Sequence, residues 1–292
     1  MDIRKYKVTG SGGFELSGFD PGDTGKFESA KGAKKATAKN TEEIAKYQAK
    51  LYAEGKTALL IIFQAMDAAG KDSAVKHVMS GINPQGVDVY SFKQPSAKEL
   101  AHDYLWRAVR ALPERGKIGI FNRSYYEDVL VVKVHKLYEK QNMPEYCKTD
   151  EIIANRYRQI RDFEKYLWEN GTVVLKFYLN LSKETQRKRF LERIDKKDKN
   201  WKFSEADLQE RNFWDDYQGA YQAAIAATAT ENNPWYVVPA DNKWYTQAVV
   251  SEALLQAMKK IGPEYPVISP HQEGILAECK RKLAEEEAPA PK

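Results

Sequence analysis

The sequence contains few of the residues that build disulfide frameworks or transition-metal sites. It has two cysteines and four histidines among 292 residues. Cys147 and Cys279 lie far apart and match no metal-binding spacing, and the histidines show none either. We therefore expect free thiols, a reducing compartment, and chemistry that does not depend on a cysteine- or histidine-bound metal.

Long apolar runs and a large excess of one charge are also missing. No run approaches the roughly 20 apolar residues needed to cross a bilayer, and the start, MDIRKYKVTG, lacks the apolar segment of a signal peptide. Lys and Arg number 46 against 41 Asp and Glu, a formal net charge of +5. That balance argues against a dedicated nucleic-acid binder but allows a local basic channel. We expect a cytoplasmic protein that binds neither membranes nor nucleic acid.

The chain does contain a short apolar strand that runs directly into a loop of small residues. Residues 59–63 are fully apolar, residues 65–70 are mostly Ala and Gly, and Lys71 opens a stretch with helical spacing. Strand, tight loop, lysine and helix form the layout of a phosphate-binding P-loop, in which backbone N–H groups bind the anion. The alternative is an ordinary strand-to-helix turn with an exposed lysine.

The match to the P-loop pattern G-x-x-x-x-G-K-[ST] is incomplete. Ala65 stands in place of the first glycine and Asp72 in place of the hydroxyl residue, with Ser73 one position late. Asp67 inside the loop would repel phosphate unless a divalent cation lies between them. We therefore predict Mg²⁺, with Mn²⁺ as an alternative. The predicted phosphate-binding residues of the loop are Ala68, Ala69, Gly70, Lys71, Asp72 and Ser73.

A second group of charged residues follows another apolar strand. Arg123, Glu127 and Asp128 come after the strand predicted at residues 117–121. The carboxyl ends of parallel strands are where open α/β sheets bind ligands. A carboxylate there is well placed to orient a metal in phosphoryl transfer. The alternative is a capped helix start with solvated acids.

A third group is a basic segment over about residues 182–204, in the position of a lid that closes over phosphates. Arg189 and Arg193 are four residues apart and share one helical face. A basic lid can neutralise charge and exclude water during transfer. A solvated charged helix is the alternative. The basic residues are Lys183, Arg187, Lys188, Arg189, Arg193, Lys196, Lys197, Lys199 and Lys202.

Alternation of strands and helices predicts an α/β fold with a central, mainly parallel sheet and helices on both faces. Five strands are predicted, at residues 59–63, 87–90, 117–121, 172–179 and 235–239. We also predict a helix that begins with a capping box at Asn40 and Glu43, one helix over 96–111, and one over about 205–229. The expected organisation is an N-terminal arm and packing helix (1–56), a core (57–262), and a C-terminal region (263–292) with a helix and then a disordered tail over residues 285–292.

Several motifs together resemble the family-2 polyphosphate kinases. They are QAMDAAGKD at 64–72, FNRSYYEDV at 121–129, WKFS at 201–204, WDDY at 214–217 and NPWYVVPA at 233–240. The resemblance extends over about residues 14–260. It implies a P-loop kinase fold like that of thymidylate kinase, Mg²⁺, and reversible phosphoryl transfer between inorganic polyphosphate and nucleotides such as AMP, ADP and ATP. The family also favours a homo-oligomer.

The resemblance also implies roles for individual residues. Many members have Asp where this chain has Asn122, which moves the expected second metal ligand to Asp128 beside Asp67. The Glu127-Asp128 pair resembles the branch that accepts both nucleoside mono- and diphosphates. The expected catalytic residues are Asp67, Lys71, Arg123, Glu127, Asp128, Arg189 and Arg193, with Arg187 and Lys202 as further phosphate-binding residues. An ATP-dependent nucleotide kinase and a polyanion-binding module are the alternative functions.

Overall fold

The computed structural model describes residues 1–10 and 12–286. Its strands are β1 (Lys7–Val8), β2 (Ala58–Gln64), β3 (Val87–Ser91), β4 (Ile118–Asn122), β5 (Thr172–Asn180) and β6 (Trp235–Pro239). Its α-helices are α1 (Ala30–Glu54), α2 (Lys71–Val78), α3 (Ala97–Leu100), α4 (Trp106–Val109), α5 (Val131–Val134), α6 (Ile152–Glu169), α7 (Lys183–Asp195), α8 (Glu205–Asn212), α9 (Trp214–Thr228), α10 (Lys243–Ile261) and α11 (Pro270–Glu286).

The strands form one sheet in the order β1-β6-β5-β2-β4-β3. Strands β2 to β6 are parallel, and β1 joins the edge strand β6 in the antiparallel sense. The predicted mainly parallel α/β sheet is confirmed, but the expectation of five strands is wrong by one. The missing strand, β1, is two residues long and begins with Lys7, so it has no apolar run that a sequence pattern could detect.

Helices cover both faces of the sheet, as predicted. All seven residues of β2 are buried, and their side chains alternate between two apolar clusters because successive residues of a strand point to opposite faces. Ile61 lies in the cluster that includes residues of α1 and α10. Ile62 lies in the cluster that includes residues of α6 and α9. The central strand is thus fixed on both sides, and the P-loop that follows it starts from a rigid point.

The long N-terminal helix starts ten residues earlier than predicted. Asn40, expected at the helix start, lies inside α1 and is buried. Its side-chain amide donates hydrogen bonds to Ser251 Oγ at 3.2 Å and Glu252 Oε2 at 3.1 Å, both on α10. The predicted capping box is therefore wrong, because the polar side chain pairs with another helix.

Two predicted helices are interrupted in the structure. The helix expected over 96–111 is instead α3 and α4, since Asp103 Oδ1 accepts a hydrogen bond from Leu105 N–H at 2.9 Å and starts a new turn. The helix expected over 205–229 breaks at Phe213, between α8 and α9. In both places a local turn replaces the continuous helix that the apolar spacing favours.

The segment before α1 packs against residues of β5, β6 and α10. The Tyr6 and Tyr245 hydroxyls share a hydrogen bond of 2.7 Å. The Asn180 amide donates to the Phe19 carbonyl at 2.7 Å. With the β1–β6 pairing, these bonds attach the start of the chain to the completed sheet.

The last helix, α11, has no buried residue. Glu285 and Glu286, expected in a disordered tail, belong to this helix, and the remainder of that predicted tail, 287–292, lies outside the described residues. Across the described ranges, none of the helices combines the length and apolar character of a membrane span.

Candidate functional site

The loop between β2 and α2 has the predicted strand–loop–helix layout of a P-loop. Gly70 precedes α2 with φ of 102°, and Ala68 also has a positive φ, 63°. Glycine adopts such a conformation readily, whereas a side chain at position 70 would be strained. The chain therefore turns sharply enough to direct the N-terminus of α2 towards the carboxyl edge of the sheet.

Lys71 folds back over the loop it ends. Its Nζ donates a hydrogen bond to the Ala65 carbonyl at 2.9 Å. Burial lowers the pKa of Lys71, while the carboxylates of Asp67, Glu127 and Asp72 act in the opposite sense. The structure thus brings the P-loop lysine and three acidic groups into one electrostatic cluster.

Arg123 joins this cluster from the end of β4. Its Nη2 donates to Asp67 Oδ1 at 3.1 Å, and its backbone N–H donates to the Phe63 carbonyl at 3.0 Å. Burial opposes the guanidinium charge, but Glu127 and Asp67 outweigh it and raise the pKa of Arg123. The cation is therefore held in place opposite the loop carboxylate.

Glu127 is held at the same edge by a residue that the sequence analysis did not assign to the site. Gln64, the last residue of β2, donates from Nε2 to Glu127 Oε1 at 2.8 Å. Its Oε1 accepts from the Ser124 hydroxyl at 3.3 Å. Gln64 could have been assigned to the site from the sequence, because it is a polar residue at the end of an otherwise apolar strand.

Asp128 faces a different set of partners. It is buried, and its Oδ1 lies 3.6 Å from Arg156 Nη1. Burial raises its pKa to about 6, against the attraction of Arg156 and Arg107. Asp67 lies beside a different cation, with its Oδ1 3.1 Å from Arg123 Nη2. The two acids expected to bind one metal ion thus have separate cationic partners in the structure.

Arg189 acts on the P-loop backbone in this structure, whereas the sequence favoured a phosphate contact. The side chain is buried. Its Nη1 donates to the carbonyls of Ala68 (2.9 Å) and Ala69 (3.0 Å). Its Nη2 donates to those of Ala240 (2.7 Å) and Asp241 (3.0 Å). One guanidinium thus ties α7 to both the P-loop and the turn after β6.

Three further predicted lid cations have partners in different parts of the structure. Arg187 is exposed and donates to Glu184 on its own helix, at 2.9 and 3.1 Å. Arg193 lies 3.7 Å from Asp207. Lys202 Nζ lies 3.5 Å from Asp72 Oδ2. Of these three side chains, Lys202 is the one that reaches the P-loop helix.

Asp72 and Ser73 at the start of α2 are both engaged by neighbouring side chains. Asp72 Oδ1 accepts from Asn122 Nδ2 at 3.0 Å. Ser73 Oγ accepts from Gln247 Nε2 at 3.3 Å. Asn122 therefore contacts the P-loop helix through its amide, a role that needs no carboxylate at this position.

A buried ionic network lies beneath the turn that carries Glu127. Glu164 of α6 pairs with Lys176 of β5, and both are buried. Glu164 Oε1 also accepts from the hydroxyls of Tyr125 (3.0 Å) and Tyr126 (2.8 Å). Lys176 Nζ donates to the Thr228 carbonyl at 2.9 Å. These bonds fix the two tyrosines between Arg123 and Glu127, and sequence spacing gave no sign of them.

The donor chemistry of the cluster suits a hard divalent cation. Among the described residues no group of three or more His, Cys, Asp or Glu side chains is arranged around one point. Mg²⁺ in phosphoryl-transfer enzymes binds one or two carboxylates and completes its shell with water and substrate phosphates. Asp67 and Glu127 supply such carboxylates beside Lys71 and Arg123.

Comparison with known proteins gives one consistent result. Residues 27–265 match the family model described as polyphosphate kinase 2. The ADP-polyphosphate phosphotransferase of Rhodopseudomonas palustris is 50% identical over 244 residues, covering 83% of this chain and 84% of that protein. The AMP/ADP-polyphosphate phosphotransferase of Meiothermus ruber is 46% identical over 277 residues, 94% of this chain and 100% of the relative.

The fold is also similar to a solved structure. The crystal structure of polyphosphate kinase 2 from Arthrobacter aurescens superposes with a TM-score of 0.85 at 39% sequence identity. The match covers 94% of this chain and 95% of the other. Similarity of this extent concerns the whole fold, including the sheet edge where the charged residues meet.

Proposed function

The chain belongs to the polyphosphate kinase 2 family, and on that premise we propose that it transfers phosphoryl groups reversibly between inorganic polyphosphate and nucleoside mono- and diphosphates. In the direction of synthesis the products are ADP and ATP. The observation that supports the proposal most is the meeting of Lys71, Arg123 and Asp67 at the carboxyl edge of the sheet. Two relatives named for these substrates support the choice of donor and acceptor.

The positively charged residues of the site would bind the phosphates and neutralise their charge. Lys71 and the backbone N–H groups at the start of α2 would hold phosphate oxygens. Arg123, which keeps its proton under the influence of Glu127 and Asp67, would neutralise charge on the transferring group. The terminal phosphate of the acceptor is already a nucleophile, so positioning and charge neutralisation are the main requirements.

We assign the divalent cation, Mg²⁺ with Mn²⁺ as an alternative, to the side of the cluster that carries Asp67 and Glu127. When bound, the ion supplies charge neutralisation between phosphate oxygens and these carboxylates. Asp128, which the sequence favoured as a ligand, is buried against Arg156. We propose that it supports the turn, with Glu127 as the second carboxylate.

We further propose that both AMP and ADP serve as acceptors, that the protein acts in the cytoplasm as a homo-oligomer, and that nucleic acid is not a partner. The Meiothermus ruber relative carries both acceptors in its name. The near-balance of charge, +5 over 292 residues, fits a local anion site better than a nucleic-acid surface.

The decisive experiment supplies AMP, polyphosphate and Mg²⁺ without ATP and follows ADP and ATP by chromatography. We expect ADP first and ATP afterwards, with Lys71→Ala as the inactive control. Transfer from ATP but not from polyphosphate would identify an ordinary nucleotide kinase. Absence of any transfer, together with retained polyphosphate binding, would identify a polyanion-binding module.

A further inference from the structure

Among the described residues, the C-terminal helix α11 is exposed along its whole length. None of its 17 residues is buried. Its side-chain ion pairs, Glu278–Arg281, Glu278–Lys282 and Arg281–Glu285, are all internal to the helix. An isolated helix of about this length is marginally stable in water. A partner surface would therefore contribute directly to its formation.

One face of α11 is apolar. Leu276, Cys279 and Leu283 are spaced by three and four residues, so they form a single stripe, with Ile275 at its border. Leu276 is 55% exposed and Leu283 63% exposed. The sequence of spacings is that of the a and d positions of a coiled coil, with Leu276 and Leu283 at a and Cys279 at d.

Two charged residues flank this stripe, and their positions distinguish a parallel from an antiparallel partner helix. Glu273 and Lys280 are seven residues apart, on the same border of the stripe, at e positions. Within residues 1–10 and 12–286 neither side chain has an ion-pair partner, unlike the other charged pairs of the helix. In an antiparallel pair of helices, e positions face e positions, so two copies would match Glu273 with Lys280 twice.

We propose that α11 pairs antiparallel with α11 of a second copy of this chain. Leu276 packs against the partner's Cys279, and Glu273 faces the partner's Lys280, with the same contacts repeated by the two-fold axis. A parallel pair would instead place Lys280 beside the partner's Ile275, so Glu273 and Lys280 would not meet. This proposal gives a specific surface to the homo-oligomer proposed above and does not depend on the reaction.

The first test compares two substitutions of equal charge on opposite faces of α11. Leu276→Asp places a carboxylate in the stripe, and Ala277→Asp places one on the solvent face. Sedimentation velocity over a range of concentrations should show that Leu276→Asp lowers the mass of the assembly by half or raises its dissociation constant at least 100-fold. Ala277→Asp should match the wild type. Equal masses for all three proteins would overturn the proposal, and so would an equal loss in both variants.

The second test is a charge exchange that is specific to the antiparallel arrangement. Glu273→Lys should raise the dissociation constant about tenfold, and so should Lys280→Glu. The double variant Glu273→Lys, Lys280→Glu should return to the wild-type value, because each exchanged residue again meets its opposite. A double variant as weak as the sum of the single ones would overturn the antiparallel pairing.

Rates of phosphoryl transfer measured on the same variants separate this proposal from the proposed function. An assembly that persists in Leu276→Asp would mean that another surface joins the copies, and the pairing through α11 would be wrong. Failure of transfer in the wild type would overturn the proposed reaction without affecting the result for α11.

Discussion

Replacement of Arg189 distinguishes its predicted lid role from the role that the structure gives it. Four carbonyl oxygens accept hydrogen bonds of 2.7–3.0 Å from this one guanidinium. Burial lowers its pKa, so these bonds must also offset the cost of a partly desolvated charge. The side chain therefore stabilises the folded P-loop before any phosphate binds.

The magnitude follows from the number of bonds lost. We take about 1 kcal/mol for each bond, less than is usual for a charged donor, because the carbonyls regain some water. Arg189→Ala should then cost about 4 kcal/mol of the free energy of unfolding. For a chain of this size that is a fall in Tm of roughly 8–16 °C. Arg189→Lys can serve one pair of carbonyls but not both, and should lose about half as much.

The assay is thermal unfolding without substrate, with Arg187→Ala as the matched control. Arg187 lies two residues away on α7 but is exposed and bonded to Glu184 on the same helix, so its loss should change Tm by no more than about 2 °C. The reasoning would be refuted if Arg189→Ala kept the wild-type Tm while the KM for polyphosphate rose. That result would restore the lid role.

Three further predictions concern the acidic and basic groups of the site. Lys71→Ala should lower kcat/KM by at least 100-fold, which corresponds to about 3 kcal/mol of transition-state stabilisation. Its Tm should not change, because burial already disfavours the lysine charge. A variant that retains a tenth of wild-type turnover would contradict this prediction. Glu127→Gln should change the ratio of kcat/KM for AMP and ADP in favour of ADP. The reason is that the Glu127 carboxylate repels the extra phosphate of ADP, and like charges within about 4 Å repel each other by a few kcal/mol. A proportional loss for both acceptors would exclude a selective role. The pKa of Asp128 rises from 3.8 to about 6 on folding. Its contribution to the free energy of unfolding is therefore complete below pH 4, and about 3 kcal/mol is lost as the pH rises through 6. Urea titrations at pH 4 and pH 7 should show that loss in the wild type and not in Asp128→Asn.

The sequence predicted the fold well because apolar strands report burial directly. Residues 59–63 are apolar on both faces, and β2 is buried on both faces in the structure. The same logic failed for β1, which is two residues long and begins with Lys7, so that it contains no apolar run. It failed again at Asn40, where a polar residue with helix-start preference was satisfied by Ser251 on another helix.

Some residues of the candidate site could be named from the sequence, but the partners of their side chains could not. Asp67, Lys71 and Arg123 could be named because each follows the end of a strand, where parallel sheets gather functional groups. The direction of each side chain is set by tertiary contacts. Gln64 donates a hydrogen bond to Glu127 at the end of β2, whereas Asp128 is buried beside Arg156. Adjacent residues of the same type thus acquire different chemistry, and sequence spacing cannot separate them.

The N-terminal segment has a consequence for how the chain folds during synthesis. Lys7 pairs with Tyr236, Tyr6 with Tyr245, and Phe19 with Asn180. None of these contacts can form until residues 180–245, which are synthesised much later than β1, have left the ribosome. The arm must therefore remain unpaired until β5 and β6 are in place, and contacts of such long sequence separation form slowly. This segment is therefore made before the strands with which it pairs, and it covers the edge at which β6 would otherwise present unpaired backbone groups to other chains.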